Sequence, residues 1–441
     1  MAAMRNTFGH SHRPIRTSKS STIWAAILGV VALMSVFMLS TSCSLAESRL
    51  VTIWTDVPEV ALYAELFNQE QQRWRVEVVW KAELPRELRD SGTQPDLAIG
   101  ARINVAGLRD RFRSLDYLFG ELALDQSAFY GPLLAFGSSD GKQRLLPLSF
   151  NLPAILFRKD SNVVPAQNST LSLADLVTPA EAFDKVQGAG YSRMGFSPRW
   201  NADFLVIAAA AEGAGFREGK PLAWSESGLR QAIRNIGEWG GATAPTAGAS
   251  DDFQFKYLFT PEYNWIAEGR ALFAYIDSSR LFLVPEEKSA VLDYRWYSEG
   301  ASIPVLSNLV LVGIPKSRQP VRGSEAFISW LFNPAKQQAI LEAARRTRAL
   351  EGSFGIAGGF STLRSVTEQV FPLYWANLAG HIPPASMIKM PETLPIEWPA
   401  IKSEVLGPWL KDIIGKPSLQ ANPGADLGAK LADWLKNGRG G

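Results

Sequence analysis

The 441-residue chain has a single cysteine, Cys43, and three histidines, of which His10 and His12 fall in the first dozen residues. One cysteine leaves no intramolecular disulfide, so stability has to come from core packing. With only His381 beyond the leader, histidine metal clusters and cysteine–histidine pairs are excluded, and no metal or other cofactor is expected. The chain has no GxSxG elbow, no GxxxxGKS phosphate loop and no GxGxxG after its first strand pattern. Charge of one sign is also lacking: 45 Lys and Arg stand against 43 Asp and Glu, a net +2 that makes no electrostatic case for nucleic acid. Tryptophan, in contrast, is plentiful. Fourteen of them, in an aromatic content of 11%, point to a ligand with apolar faces on which an indole can stack.

The start of the chain concerns location. Arg5, Arg13, Arg16 and Lys19 precede an apolar run from Ile23 to Leu39, and no acidic residue occurs before Glu47. This is the pattern of an export signal. The run ends in Ser40, Thr41, Ser42 and Cys43, which resembles a bacterial lipoprotein signal whose cysteine is lipidated and becomes the mature N-terminus. Ser40 departs from the aliphatic residue that pattern prefers. The expectation is a signal over residues 1–42 and an exported, periplasmic or cell-surface protein held on the membrane by lipid at Cys43; the alternative is an uncleaved signal anchor.

The mature chain is organised around LVTIWTDVPEVALYAELFNQE, residues 50–70. Leu50, Val51, Ile53 and Trp54 suit a buried strand, while Val60, Tyr63, Ala64 and Phe67 form a helical stripe. Asp56 at the join reads as a helix N-cap and Glu59 as its capping-box partner, yet a loop leaving the carboxyl end of a strand in an α/β sheet is also where ligands bind. Strand and helix then alternate in the manner of a parallel sheet, with strands near 76–80 and 96–99. Two strand pieces fall within 144–158, short helices at 171–177 and 179–186, and a helix from Asn201 to Glu212. Further strands follow at 271–276, 293–297 and 308–314, then helices at 324–332 and 335–345 and a glycine-containing link at 354–363. The length alone favours two lobes.

In order and spacing, the segments VTIWTDVPEVALYAELFNQ, PDLAIG, LLPLSFNLPAILF, ALFAYIDSS and LVLVGIPK resemble the extracellular solute-binding proteins of bacterial ABC importers, especially the sugar-type class. The resemblance implies an α/β fold of two discontinuous lobes (periplasmic-binding-protein-like, class II type) closing on a ligand by hinge motion. On this chain the first lobe takes residues 47–151 and 309–351, and the second takes 152–308 and 352–441. It further implies a monomeric, non-enzymatic receptor that delivers a small solute, most simply a carbohydrate, to a permease. Matched to the family, Asp56, Glu59 and Arg102 face the cleft from the first lobe. Asn151 lies in the crossing segment, Trp200 and Asn201 at the mouth of a second-lobe helix, and Tyr275, Asp277 and Ser278 at a strand end. Gly359 and Phe360 lie in the late glycine return. Trp200 is expected to stack on the sugar while Asp56, Asn151 and Asp277 pair with hydroxyls. Each residue also has a structural reading as a cap, a strand-edge hydrogen bond or a hinge. The competing class is an exported two-carboxylate glycoside hydrolase built on Asp56, Glu59 or Asp277.

Overall fold

A computed structural model describes residues 50–120, 124–237, 248–319, 321–414 and 422–437. The leader and Cys43 lie outside the described residues, and Leu50–Gly441 form one compact unit. No described helix is long and apolar enough to cross a membrane.

The opening unit folds as its pattern dictates. Strand β1 (Leu50–Thr55) leads to helix α1 (Val60–Glu70), which buries Val60, Tyr63, Ala64 and Phe67. Then come β2 (Arg75–Trp80), α2 (Leu84–Asp90), β3 (Leu97–Ala101), β4 (Leu146–Phe150), β5 (Pro153–Arg158) and β6 (Thr170–Leu171). Helices α3 (Leu173–Phe183), α4 (Ala202–Ala209), α5 (Glu226–Gly237) and α6 (Ala249–Lys256) follow. The middle of the chain supplies β7 (Ala274–Asp277), α7 (Ser278–Leu281), β8 (Leu292–Tyr297) and β9 (Val310–Gly313). Last are α8 (Arg322–Leu331), α9 (Pro334–Arg346), β10 (Phe360–Ser361), α10 (Gly407–Ile414) and α11 (Pro423–Asn437).

Two sheets carry the lobes. The first has the order β10-β4-β9-β3-β1-β2, the second β7-β5-β8-β6. The expected parallel arrangement holds for β2, β1 and β3, but β9 runs antiparallel to both β3 and β4. That reversal is the signature of a strand arriving from the other lobe. In the second sheet, alternation along the strands divides the core. Ala154, Leu156, Ile276, Tyr294 and Trp296 join the cluster that continues into the first sheet, while Ile155, Phe157, Tyr275 and Tyr297 join one under α3, α4, α5 and α10.

Two expectations need correction. Residues 171–186 hold one helix, α3, with Pro179 inside it, and Lys185–Gln187 is a short strand. A capping box at Ser172 and Asp175 fixes the start of this helix. The glycine return also stays with the first sheet beyond residue 352: Phe360 pairs with Phe150, and Ser361 with Ser149. Gly355 (φ +68°) is required there, because a Cβ would stand 2.1 Å from the Gly359 carbonyl oxygen.

Candidate functional site

The topology brings the carboxyl ends of β1, β3 and β4 and the start of β9 to one edge of the first sheet. There Val310 pairs with both Ala101 and Ser149. From that edge the chain passes to β5 through Asn151 and Leu152, and β5 begins where β7 ends, Pro153 opposite Asp277. The ends of the two sheets therefore meet around the crossing segments.

On the first-lobe side, Asp56, Arg102 and Glu83 form a charged cluster. Asp56 does not cap α1. Glu59 holds the N-cap position with helical backbone angles, and neither carboxylate caps the helix. Instead Asp56 Oδ1 accepts from the Ala101 N–H at 3.3 Å, a contact between residues 45 apart. Gly100 leaves room for it, since a Cβ there would lie 2.3 Å from that oxygen. Burial pushes the Asp56 carboxyl up to about 6, against the opposing pull of the Arg102 charge and the Ala101 N–H. Arg102 sits in the left-handed region at φ +56° with its Nε buried and unpartnered, a strained and unsatisfied cation of the kind functional sites hold. Burial also lowers its pKa, with Asp56 and Glu83 acting the other way. Glu59 accepts from Ser353 Oγ in the glycine return.

On the second-lobe side lies a cavity of about 360 Å³. Its walls include Asp203, Tyr275, Asp277, Glu299, Asn308, Lys389, Trp398 and Lys402. Asp203 pairs with Lys402 at 3.0 Å, and Trp398 is held by its Nε1–H donating to Ser307 Oγ at 3.1 Å. Burial and the neighbouring Glu212 raise the pKa of Glu299. Across the cleft, the Ala106 N–H donates to Glu218 Oε1 at 2.7 Å.

Of the sequence-predicted residues, Tyr275 and Asp277 line this cavity. Asp277 also accepts from the Arg280 N–H and from Ser279 Oγ, so it caps α7 as well. Asp56, Glu59 and Arg102 belong to the separate first-lobe cluster. Four others have structural partners. Asn151 and Ser278 lock the crossing: Ser278 Oγ donates to Asn151 Oδ1 at 2.7 Å and accepts from the Leu152 N–H at 3.0 Å, while Asn151 Nδ2 donates to the Gly358 carbonyl at 3.0 Å. Gly359 lets the return pass close to that lock, a Cβ there being 2.6 Å from the Phe150 carbonyl oxygen. Phe360 is wholly buried between Phe150, Phe282, Phe354 and Phe371 and offers no face to a ligand.

Trp200 and Asn201 have structural partners too. Asn201 is the N-cap of α4, accepting from the Phe204 N–H at 3.1 Å. One face of Trp200 stacks on Phe253 at 5.5 Å, Trp265 and Phe196 meet it edge to face, and its Nε1–H donates to the Ser250 carbonyl. Both residues border a crevice of only about 30 Å³, too small for a sugar ring. The sequence reading missed Asp203, Glu299, Asn308, Lys389, Trp398 and Lys402. The WNADF run around Asp203 was the one local signal; the rest arrive from distant segments.

No protein-family profile matches the sequence, and no curated protein does. Solved structures do match. The chain is similar to a cyclic α-maltosyl-1,6-maltose binding protein from Arthrobacter globiformis at 15% identity, covering 86% of this chain and 96% of that one with a TM-score of 0.57. A solute-binding protein of family 1 from Alicyclobacillus acidocaldarius matches at 11% identity, over 88% and 98%, with a TM-score of 0.59. A cyclo/maltodextrin-binding protein complexed with maltotetraose matches at 13% identity, over 90% and 99%, with a TM-score of 0.57. The chain has the two-lobe α/β fold of these extracellular solute-binding proteins.

Proposed function

We propose that this protein is an exported receptor that captures a neutral carbohydrate between its lobes and hands it to an ABC-importer permease. The observation that carries the reading is the pairing of two polar sites at the facing ends of the sheets. One is the Asp56–Arg102–Glu83 cluster, and the other is the cavity with carboxylates, the Asn308 amide and Trp398 on its walls. Carboxylates accept from hydroxyls, Arg102 donates, and indole offers its face to the CH side of a ring. The named fold relatives bind maltosyl-maltose and maltotetraose, which supports the same ligand class here. Closure rotates the lobes about Asn151–Leu152, the segment before β9 and the passage that follows β10. The receptor works as a monomer, anchored through lipid at Cys43, which delivers its ligand at a membrane surface. Two acyl chains or more are needed for a stable hold.

The hydrolase reading is weaker. Glu59 and Asp277, two of its three candidate carboxylates, already accept hydrogen bonds from Ser353 and from Ser279 and Arg280.

A thermal-shift screen of sugars, polyols, amino acids and peptides tests the ligand class, because a ligand at about a hundred times its Kd adds roughly 2.7 kcal/mol to stability. Saccharides should raise the melting temperature, and a response confined to amino acids or peptides refutes the assignment. Cys43→Ala should abolish detergent partitioning; unchanged partitioning and mass refute the anchor.

A further inference from the structure

A lipid at Cys43 bounds how far the folded chain can stand from the membrane. Cys43 lies seven residues before Leu50, and a fully extended tether of that length reaches at most about 25 Å. Leu50 begins β1, so the surface that holds the lipid stays close to the edge of the first sheet at which β1 starts. That edge is opposite the cleft, which lies beyond the carboxyl end of the same strand, about 20 Å away for a strand of six residues.

Five basic side chains ring this edge. Arg75 pairs in register with Leu50. Arg73, two residues earlier, lies over the Trp74 ring at 5.3 Å. Gly323 touches the same corner, since a Cβ there would stand 2.4 Å from Val51 Cγ2 and 3.1 Å from Trp74 Cε3, and Arg322 directly precedes it at the start of α8. Strand β9 runs antiparallel to β3, with Gly313 opposite Ala98, and so brings Lys316 and Arg318 back to the amino end of β3. Arg318 is tied in there: its guanidinium pairs with Asp96 at 2.7 Å, and Asp96 accepts from the Thr52 N–H of β1 at 2.9 Å. Arg73, Arg75, Lys316 and Arg322 are exposed. Of the five, only Arg75 and Arg318 have a carboxylate partner among the described residues, Glu77 at 3.6 Å and Asp96. In a chain whose 45 cations nearly match its 43 anions, the three without one gather at the point where the tether leaves.

We infer that this ring is a docking surface for anionic phospholipid headgroups. It settles the first lobe base-down on the leaflet that holds the Cys43 lipid and keeps the cleft edge clear of the headgroups. The inference rests on the anchor reading above and adds to it an orientation and a second attachment. Each basic residue close to an anionic leaflet favours binding about fivefold, and a lipid chain joined to a basic patch gives a stable hold where one chain alone is marginal. The attraction is screened over about 8 Å at physiological ionic strength, so it acts on the residues of this edge and not on the charges around the cleft.

The test has two arms. In the first, the mature chain carrying Cys43→Ala, which presents the ring without the lipid, is cosedimented with vesicles of phosphatidylcholine alone or with about one-third phosphatidylglycerol. Binding should require the anionic lipid and vanish as salt rises from about 0.05 to about 0.5 M. Arg73→Gln, Arg75→Gln, Lys316→Gln and Arg322→Gln combined should weaken it at least about tenfold. Lys185→Gln, Arg217→Gln, Arg230→Gln and Lys430→Gln combined remove the same charge from exposed positions on second-lobe elements and should leave binding within about threefold of the parent. All eight side chains are exposed, so both variants should melt as the parent does. In the second arm, the lipidated protein on the same vesicles is acetylated with a water-soluble amine reagent and digested. Lys316 should be protected at least about threefold on anionic relative to neutral vesicles, and Lys185 should not. Equal binding to the two vesicles, equal losses in the two variants, or Lys316 labelled alike on both refutes the docking surface. The anchor reading then stands if detergent partitioning still depends on Cys43. If partitioning ignores Cys43, the anchor falls and the inference falls with it.

Discussion

Replacing Asp56 by Asn should make the empty protein more stable and the receptor worse. The Asp56 carboxyl rises from 3.8 to about 6, chiefly because it is buried. Its folded-state value lies above its unfolded one, so the folded chain holds the proton more tightly. Stability therefore falls as the pH rises from about 4 to about 6, and the full penalty is present above that window. Roughly two pKa units at 1.36 kcal/mol each set the penalty at no more than about 3 kcal/mol. An amide has the same shape, still accepts from the Ala101 N–H and carries no charge to desolvate. For a folded unit of this size, with an unfolding entropy of about 2.1 cal/mol/K per residue, that penalty corresponds to roughly 3–4 °C. Scanning calorimetry of wild type and Asp56→Asn at pH 4 and pH 7.5 should show curves that nearly coincide at the lower pH and separate, with the variant higher, at the upper. Saccharide affinity at pH 7.5 should drop at the same time, because the amide is a poorer acceptor beside Arg102. A variant that melts below wild type at pH 7.5, or an offset that ignores pH, refutes the reasoning.

Three other perturbations follow from named contacts. Gly100→Ala puts a methyl 2.3 Å from Asp56 Oδ1 and 2.5 Å from Leu84 Cδ2, so calorimetric titration should show saccharide affinity falling at least about tenfold, with about 1–3 kcal/mol of stability lost by denaturant titration. Trp200→Ala removes a ring packed on Phe253, Trp265 and Phe196 and should cost about 3 kcal/mol in urea unfolding, while the affinity of the folded protein changes less than about threefold. Although burial pushes its pKa up, Asp293 is brought down to about 2 by hydrogen bonds from His381 and Arg295. Its contribution to stability is present above about pH 4 and fades as the pH falls through 2, so Asp293→Asn should cost about 3 kcal/mol at pH 7 and progressively less below pH 4.

What was legible in the sequence was what local physics decides. Val60, Tyr63, Ala64 and Phe67 announce α1 because a 3.6-residue stripe has one buried face, and the pieces within 144–158 separate into β4 and β5 where Asn151 breaks the apolar run. Asp56 was found for a sound reason, its place at a strand end, but the local capping rule misassigned its bond, because its partner Ala101 lies on another strand. The lock that Asn151 makes with Ser278 and Gly358, and that Gly359 lets the chain approach, was not legible, because its partners lie 127 and 207 residues from Asn151. Asn201 could have been read correctly from sequence alone, since an Asn three residues before Phe204 at a helix start is a local N-cap. The cavity wall at Glu299, Lys389 and Trp398 was out of reach, because no periodicity says which late segment folds back onto α4 and β7.

The central claim is that one intact carbohydrate is held between the lobes and released unchanged. Isothermal titration of the mature chain with oligosaccharides, followed by chromatography of the ligand recovered after prolonged incubation, tests it most directly. The account predicts saturable binding of one ligand per chain and quantitative recovery of the uncut saccharide. Shortened products accumulating with time, or no saccharide binding at any length, would contradict it.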